Sequence, residues 1–494
     1  MNYRAIRHIL GRILMLISLL MILPMIVSLI YRESIRNLLA FLIPIVLLLL
    51  TGWLLTLGKN KDTSFGAREG FIIVGLAWIL LSLFGCIPFI ISKEIKNFFS
   101  AFFEITSGFT TTGSSCLTAE ELESMSHSML FWRSFSHWIG GMGILVFILA
   151  VIPESKDGSA VHILRAESPG PQVGKLVSKM QVTSRILYMI YIGLSLIEFL
   201  ILIIIPDKRM GVFEAFIYTF GTAGTGGFAT QAESVGYYSI ASQYVIGSFM
   251  IIFGINFTIY YYLLIRNFKD IKRNEELKYF LFIVVLAVAI ICSNIYSTYH
   301  SFEKAFRYSF FTVASIISTT GFANVNYISW PALSLIVITA LTAFGACAGS
   351  TAGGIKTSRI LILTKYQFSR IKLLVNPRRV ETINLDGKPI NKDVIESVRT
   401  FIIAYITILL LCTALIAIYN PNLNDNNPLT YLSSSLTCIS NVGPGLTETV
   451  GPAGSFNGFS SFSKMILSFE MIAGRLEIFP ILILFYPRAW KKRV

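Results

Sequence analysis

The chain has 494 residues, of which 54% are hydrophobic and only 14% are charged. Its mean hydropathy is +0.68, whereas a soluble domain carries about 25% charged residues. This composition excludes a soluble globular protein and predicts a membrane protein. The net charge of +14 lies in short loops between apolar runs, which is typical of a polytopic membrane protein. We therefore predict no nucleic-acid partner.

The first two charge-free runs lie between Arg12 and Arg32 and from Asn37 to Gly58. Each suits a membrane-spanning helix, which needs about 20 apolar residues. We interpret the first run as a retained anchor, because its apolar region is too long for a signal peptide and no A-x-A-like cleavage site follows it. Further spans are predicted at residues 70–92, 134–153, 186–206, 237–265, 279–299, 331–365, 400–419 and 464–487. The sequence thus predicts an all-α polytopic fold with ten full spans and several re-entrant segments.

The distribution of basic residues predicts the orientation. Most of the 41 Lys and Arg residues fall in six segments that we assign to the cytoplasm: residues 1–12, 59–68, 154–185, 266–278, 356–399 and 488–494. By the positive-inside rule, both termini are then cytoplasmic. The longest polar stretch, residues 365–399, is interpreted as a cytoplasmic connector that is too short to be a domain.

Four segments share one layout: an apolar span, a short amphipathic helix, a Gly/Thr-rich loop and another span. Aligned on one glycine, the four loops have Thr or Asn two residues earlier and an apolar residue eleven residues earlier. The earlier residues are Thr111, Thr225, Thr319 and Asn441, and the apolar ones are Phe102, Phe216, Phe310 and Leu432. Glycine-rich turns or helix-packing positions would explain one such loop, but four in register favour a fourfold repeat.

Four such loops predict an ion-selective pore. Non-helical backbone at membrane depth must line a water-filled cavity, and rings of carbonyl oxygens can replace the hydration shell of an alkali cation. Glycine permits the φ values that turn successive carbonyls the same way, and the short helices would point their negative ends at the ion. The candidate ion-binding residues are Thr111, Thr112, Gly113, Thr225, Gly226, Gly227, Thr319, Thr320, Gly321, Asn441, Val442 and Gly443.

Residues 344–354 interrupt what should be one span. Small residues of low helix propensity predict a broken helix and an intramembrane loop that could plug the pore beneath the filter; the alternative is a close helix-packing seam. The candidate gate residues in and beside this loop are Gly345, Gly349, Ser350, Thr351, Ala352, Gly353, Gly354 and Lys356. Lys356 is either part of the gate or the first cytoplasmic anchor.

Arg475 lies well inside the last predicted span, where a charge is costly and usually functional. It either projects into the pore below the filter as an electrostatic barrier, or pairs with Glu470 or Glu477 to lock two helices. Glu104 and His137 are expected to form structural hydrogen bonds. The alternative for Glu104 is that it adds a negative electrostatic field near the filter, and the alternative for His137 is that it relays protons.

The sequence offers little for catalysis. It has no HExxH or GxSxG motif and no usefully spaced carboxylate pair, which argues against an intramembrane enzyme using His137 or a buried glutamate. Its six cysteines lack the spacing of a zinc site. Residues 345–356 resemble a phosphate-binding loop, but Ile355 separates Gly354 from Lys356 and no strand precedes them. We predict that the chain is not an enzyme and binds no cofactor of its own.

Four motifs together resemble the TrkH/TrkG/KtrB superfamily of potassium transporters, closest to the TrkH/TrkG branch, which has two extra amino-terminal spans. They are TTTG at 110–113, HWIGGMG at 137–143, STAGGIK at 350–356 and GRLE at 474–477. The resemblance runs through the whole chain. It implies a single-chain pore of four M1–pore helix–M2 repeats around a pseudo-fourfold axis in a bacterial cytoplasmic membrane. It also implies a homodimer and a cytosolic, TrkA-like RCK subunit that would bind the regulatory nucleotide.

Carried onto this sequence, the resemblance implies the filter glycines Gly113, Gly227, Gly321 and Gly443. In the related plant sodium transporters the first is often Ser, so four glycines favour K⁺. A sodium or weakly selective monovalent cation channel or transporter is the alternative, since small residues at 224–227 would loosen that segment. Coupling to H⁺ or Na⁺ is left open.

The predicted organisation follows from these repeats. Residues 1–60 hold the two extra spans, 61–153 the first repeat, 154–266 the second, 267–366 the third with its gating loop, 367–399 the cytoplasmic connector and 400–494 the fourth repeat.

Overall fold

The computed structural model describes residues 1–57, 66–143, 180–376, 382–420 and 427–491. In these ranges the chain is mostly helical, with one short antiparallel hairpin of strands β1 (Asn384–Leu385) and β2 (Lys388–Pro389). The all-α fold class predicted from the sequence is confirmed.

The amino-terminal part of the chain forms five helices that pack together. They are α1 (Tyr3–Leu20), α2 (Ile22–Ile30), α3 (Ile35–Thr56), α4 (Ala67–Gly85) and α5 (Ile87–Ser92). Helices α1 and α3 approach closely, because a Cβ added to Gly52 would lie 2.7 Å from the carbonyl oxygen of Gly11. Small residues permit such contacts between membrane helices. The outer face of α3 leaves Leu50, Trp53 and Leu54 exposed, as expected of a lipid-facing surface.

The remaining helices follow in chain order. The first group is α6 (Phe98–Phe109), α7 (Ala119–Glu123), α8 (His127–Gly141), α9 (Met180–Ile204), α10 (Val212–Gly224), α11 (Ile240–Gly254), α12 (Phe257–Leu264) and α13 (Phe268–Arg273). The second group is α14 (Glu275–Tyr299), α15 (Phe302–Ile317), α16 (Ala332–Ala343), α17 (Thr357–Val375), α18 (Lys392–Tyr419), α19 (Pro428–Ser440), α20 (Ser461–Arg475) and α21 (Phe479–Leu484).

Helices α6, α10, α15 and α19 are too short to cross a membrane. They have 12, 13, 16 and 13 residues, against the roughly 20 that a span requires. Three of them begin at a polar side chain, Asn97, Ser301 or Asn427, that accepts hydrogen bonds from amides of the first turn. They are buried along most of their length, so they lie inside the bundle.

Seven of the ten predicted spans correspond to apolar helices. Six stretches in the described part of the chain are long and apolar enough to cross a membrane: Tyr3–Ile30, Ile35–Thr56, Ala67–Ser92, Val182–Ile204, Glu275–Tyr299 and Lys392–Tyr419. The seventh is the pair α11 and α12, which meet at an angle of 92°. The bend follows from Gly254 at the end of α11 and from Asn256, whose side chain caps α12.

The other three predicted spans are not continuous helices. The span at 134–153 ends as a helix at Gly141, before Gly143 at a φ of +76°, and residues 144–153 lie outside the described part. The span at 331–365 divides into α16 and α17, as its small residues predicted. The span at 464–487 divides into α20 and α21, because Glu477 and Ile478 adopt positive φ. Most of the predicted cytoplasmic segments 59–68 and 154–185 also lie outside the described residues.

Candidate functional site

Each of the four short helices ends in the same left-handed turn. The residue two before the aligned glycine has a φ of +56° at Thr111, +56° at Thr225, +57° at Thr319 and +56° at Asn441. Left-handed φ is rare for a β-branched residue such as threonine. Such backbone persists only where the surrounding structure imposes it, and it concentrates at functional sites.

A common hydrogen bond closes each turn. The amide after the left-handed residue donates to the carbonyl five residues earlier, which is the pattern of a Schellman motif. The pairs are Thr112 to Ser107, Gly226 to Gly221, Thr320 to Ser315 and Val442 to Thr437, at 2.8–3.0 Å. The four segments that follow, residues 111–113, 225–227, 319–321 and 441–443, therefore leave their helices with the same geometry.

The four aligned glycines form a closed ring. All have positive φ, from +76° at Gly227 to +108° at Gly443. A Cβ added to any of them would overlap a carbonyl oxygen of the next segment: Gly113 that of Gly226, Gly227 that of Thr320, Gly321 that of Val442, and Gly443 that of Thr112. The contacts run from the first segment to the fourth and back to the first. We call this set the glycine ring.

A cavity of about 130 Å³ opens on one side of the glycine ring, and all four of its glycines line that cavity. On the same side, an ion pair is buried behind the first two segments. Arg133 and Glu104 are 2% and 0% exposed, and their charged atoms lie 2.7 Å apart. Glu104 also accepts from the amide of Cys116, and the Arg133 guanidinium covers the ring of Phe228 at 4.1 Å. The pair therefore supports the backbone beyond Gly113 and beyond Gly227.

His137 is buried and bridges two segments. Its Nδ1 lies 2.7 Å from the Gly108 carbonyl oxygen, and its Nε2 accepts from the amide of Phe228. Both ring nitrogens are thus used in structural contacts.

The break between α16 and α17 forms a compact loop, residues 344–356. Its two ends are tied together, because the amide of Gly345 donates to the carbonyl of Ile355 at 2.8 Å. Gly345 lies against the backbone of Gly353 with no room for a Cβ, and Gly349 and Gly354 have positive φ. These glycines therefore permit a tight loop in a segment that would form a continuous helix without them.

The 344–356 loop lies on the side of the glycine ring opposite the cavity. The amide of Gly353 donates to the hydroxyl of Thr319 at 2.7 Å, and a Cβ on Gly353 would meet the Ser440 carbonyl at 2.6 Å. The hydroxyl of Thr351 reaches the Phe253 carbonyl at the end of α11. Of the remaining loop residues, Ala352 is buried, Ser350 is half-buried and Gly349 is exposed.

Arg475 fills the space between the loop and the first segment. Its guanidinium donates to the Thr111 hydroxyl at 3.1 Å and to the Thr351 carbonyl at 2.7 Å. It also donates to the carbonyls of Gly140 and Gly141. The two acidic residues considered as its partners have other contacts.

Those acidic residues are Glu477 and Glu470. Glu477 pairs with Arg359 of α17, and Glu470 accepts from the hydroxyl of Ser435. Lys356 is buried and donates to the carbonyl of Ala352, so its ammonium group lies within the loop and not on the protein surface.

Sequence reasoning missed several polar contacts around the loop and the ring. It did not single out Glu276, whose carboxylate contacts the loop, nor the pairing of Arg133 with Glu104. A charge inside an apolar segment is the only signal available for such residues. It marks them as unusual, but it does not identify their partners.

The fold and the site define a polytopic membrane protein with a ring of four non-helical segments at its centre. The sequence matches the TrkH family, described as a cation transport protein, over residues 38–492. The chain therefore belongs to the TrkH family of cation transport proteins.

Individual relatives agree with this assignment. The chain is 34% identical to the Trk system potassium uptake protein TrkG of Escherichia coli (strain K12), over 99% of both chains. It is 33% identical to TrkH of the same organism over the full length of both. The crystal structure of the potassium transporter TrkH from Vibrio parahaemolyticus superposes with a TM-score of 0.88 at 31% identity, covering 99% of this chain and 100% of that chain.

Proposed function

We propose that the protein takes up potassium ions through a pore whose selectivity filter is the glycine ring. The observation that carries this proposal is the cyclic contact of the four glycines with four carbonyl groups. Backbone carbonyls grouped around one axis can replace the hydration shell of K⁺. The two Escherichia coli relatives are named potassium uptake proteins, which supports K⁺ as the ion.

The filter residues of the proposal are the four segments that continue from the short helices. The carboxyl ends of these helices direct partial negative charge toward the ring, which favours a cation there. A sodium or weakly selective pore is the alternative, and the ratio of permeabilities distinguishes the two. A membrane potential of about 100 mV, negative inside, supplies about 2.3 kcal/mol per charge, enough for a roughly 50-fold gradient of K⁺.

The 344–356 loop and Arg475 form the gate in this proposal. The loop contacts the third and fourth segments through Gly353, and Arg475 contacts the first through Thr111. A guanidinium beside the ring repels a cation, so ions would pass only after the loop and Arg475 withdraw. The arrangement described above is thus the closed state.

The setting that we propose is a bacterial cytoplasmic membrane, with both termini in the cytoplasm and two copies of the chain in a homodimer. A cytosolic RCK subunit, similar to TrkA, would bind the regulatory nucleotide and act on the cytoplasmic face. The chain itself carries K⁺ as cargo and needs no cofactor. The lipid bilayer is its other partner.

The test is growth at low K⁺ and ⁸⁶Rb⁺ uptake in a bacterium that lacks its own potassium uptake systems. Gly113→Ser adds a Cβ that overlaps the Gly226 carbonyl at a positive φ. We expect uptake to fall about tenfold, equivalent to about 1.4 kcal/mol, or to lose its preference for K⁺ over Na⁺. Gly458→Ser is the matched control, because a Cβ there has no atom within 4 Å.

The outcomes separate the parts of the proposal. If Gly113→Ser leaves the rate and the ion preference of uptake unchanged, the protein is still a transporter but the glycine ring is not its filter. A wild type that carries Na⁺ as well as K⁺ would favour the weakly selective alternative. Absence of uptake after co-expression of RCK subunits, with the protein detected in the membrane, would overturn potassium uptake.

A further inference from the structure

We infer that Glu276 is the clasp that holds the 344–356 loop closed, and that the β1–β2 hairpin of the cytoplasmic connector fixes the position of this clasp. The inference rests on the proposed role of the loop as the gate. It assigns a positioning role to a residue outside the loop and a route by which the cytoplasmic side reaches the gate.

A single carboxylate oxygen joins the loop to the helix that follows it. Oε1 of Glu276, in the first turn of α14, accepts from the amide of Ala348 at 2.7 Å and from the amide of Ser358 at 3.0 Å. Ala348 lies in the middle of the loop, and Ser358 lies in the first turn of α17. Hydrogen bonds to an ionised acceptor are roughly twice as strong as neutral ones. Glu276 therefore holds the loop against the start of α17.

The burial of Glu276 argues that this contact is more than a surface cap. The residue is only 4% exposed, and a buried carboxylate is costly unless its oxygens are satisfied. The Ala348 amide contributes to that satisfaction only while the loop is folded back, whereas the Ser358 amide belongs to α17. When the loop withdraws, Oε1 loses the Ala348 amide, so the carboxylate favours the closed arrangement.

The hairpin contacts the residue next to Glu276. The Asp386 carboxylate, in the β1–β2 turn, accepts from the amide of Glu275 at 2.8 Å. Lys365 of α17 pairs with the Glu275 carboxylate and donates to the Asn384 carbonyl at 2.8 Å. The hairpin thus anchors the amino end of α14. A force on the hairpin moves the first turn of α14, and Glu276 with it.

The hairpin also has space into which it can move. A cavity of about 540 Å³ lies between it and α12, with Asp386, Lys388 and Asn256 among the lining residues, while the Arg273 side chain of α13 contacts Gly387 in the hairpin. Asn256 precedes Phe257, whose amide donates to the carbonyl of Gly349 in the loop. The cavity therefore lies between the hairpin and a second attachment point of the loop.

The experiment measures ⁸⁶Rb⁺ flux into liposomes that contain the purified full-length protein without any partner. Glu276→Ala removes both acceptor contacts, and we expect it to raise the flux about tenfold, the effect of losing a hydrogen bond to a charged group. Glu276→Gln keeps an acceptor oxygen and should give a smaller rise. Glu396→Ala is the matched control, because Glu396 is an exposed carboxylate on α18, and its flux should equal that of the wild type.

Two further variants leave Glu276 in place. Ser358→Pro removes one donor at the second residue of α17, where proline is tolerated because that amide lies outside the helical hydrogen-bond ladder. Asp386→Ala releases the amide of Glu275 from the hairpin. Both should raise the flux, by less than Glu276→Ala does. They test the clasp even if Glu276→Ala does not fold.

The flux that Glu276→Ala adds must pass through the glycine ring. The double variant Glu276→Ala with Gly113→Ser should therefore lose the added flux. An unchanged or reduced flux in folded Glu276→Ala and Ser358→Pro, while Gly113→Ser still affects uptake in cells, would overturn the clasp and leave the proposed pore standing. If Gly113→Ser leaves the added flux unchanged, the ions bypass the glycine ring, and this result would also overturn the clasp.

Discussion

At the residue scale, Arg475 is held by oxygen atoms of the first segment, of the 344–356 loop and of α8. Its guanidinium donates to the Thr111 hydroxyl and to carbonyls of the loop and of α8. Five donors in a planar fork suit several acceptors at once, which a lysine ammonium cannot reproduce. The side chain is therefore both a positive charge near the ring and a connection between the loop and the first segment.

Replacing Arg475 with alanine should weaken the closed state that we propose. We expect Arg475→Ala to raise ⁸⁶Rb⁺ flux by about tenfold or more, since at least one charge-assisted contact to the loop is lost. Flux through liposomes measures the effect, with Arg209→Ala as the control because Arg209 is exposed and distant in the chain. A flux equal to that of the wild type would contradict a barrier at this position.

The pair of Arg133 and Glu104 makes a prediction about stability. Glu104→Gln leaves the 2%-exposed Arg133 without its ionic partner, and breaking a buried pair costs about 3–5 kcal/mol. Glu303→Gln breaks the ion pair of Glu303 with Arg307. The Glu303 side chain is 49% exposed, and exposed ion pairs contribute about 0–1 kcal/mol. Thermal unfolding in detergent should give a clearly lower Tm for Glu104→Gln alone. Equal Tm values for the two variants would be inconsistent with this reading.

At the scale of elements, helix breaks recur next to the glycine ring. The helices are interrupted after Gly141 at the end of α8, Gly254 at the end of α11, Ala343 at the end of α16 and Arg475 at the end of α20. The third break, residues 344–356, is longer than the second and the fourth, and it is the one that contains the loop. Interrupted helices expose backbone groups that lipid cannot satisfy, so these breaks belong on the inside of the bundle.

How far the sequence predicts these elements depends on whether the signal is local. Composition and charge-free runs predicted the membrane class, and the glycine spacing predicted four related segments and the loop after α16. The 92° bend between α11 and α12 was missed, because Gly254 and Asn256 lie in an otherwise uniform apolar run. The carbonyl partners of Arg475 and the amide partners of Glu276 were also missed, since they come from distant parts of the chain.

The packing of α1 against α3 gives a prediction for an element outside the ring. A side chain at Gly52 would meet the Gly11 carbonyl and the Met15 side chain, each at 2.7 Å. Gly52→Leu should separate the helices at a cost of about 1–3 kcal/mol, the usual range for overpacking, and should lower the Tm. Gly193→Leu is the control, because a Cβ at Gly193 has no atom within 4 Å. Flux per folded molecule should be unchanged in both variants; a loss of flux would show that α1 and α3 take part in conduction.

At the scale of the whole molecule, one chain supplies all sides of the ring. The four segments share backbone geometry but not sequence: three carry threonine at the left-handed position and the fourth carries Asn441. The Asn441 side chain donates to the hydroxyl of Thr112 and to the Met471 carbonyl. The fourth segment is thus tied to the first by a side chain that the other three lack, and the ring is not truly symmetric.

A pore made of identical subunits changes at every equivalent position when its gene acquires one missense mutation. In this chain a single codon alters one quarter of the ring and leaves three quarters as they were. If the ring is the selectivity filter that we propose, heritable variation can adjust ion preference one segment at a time. Each chain also closes its own ring, so in the homodimer that we propose a change in one copy leaves the ring of the other copy intact.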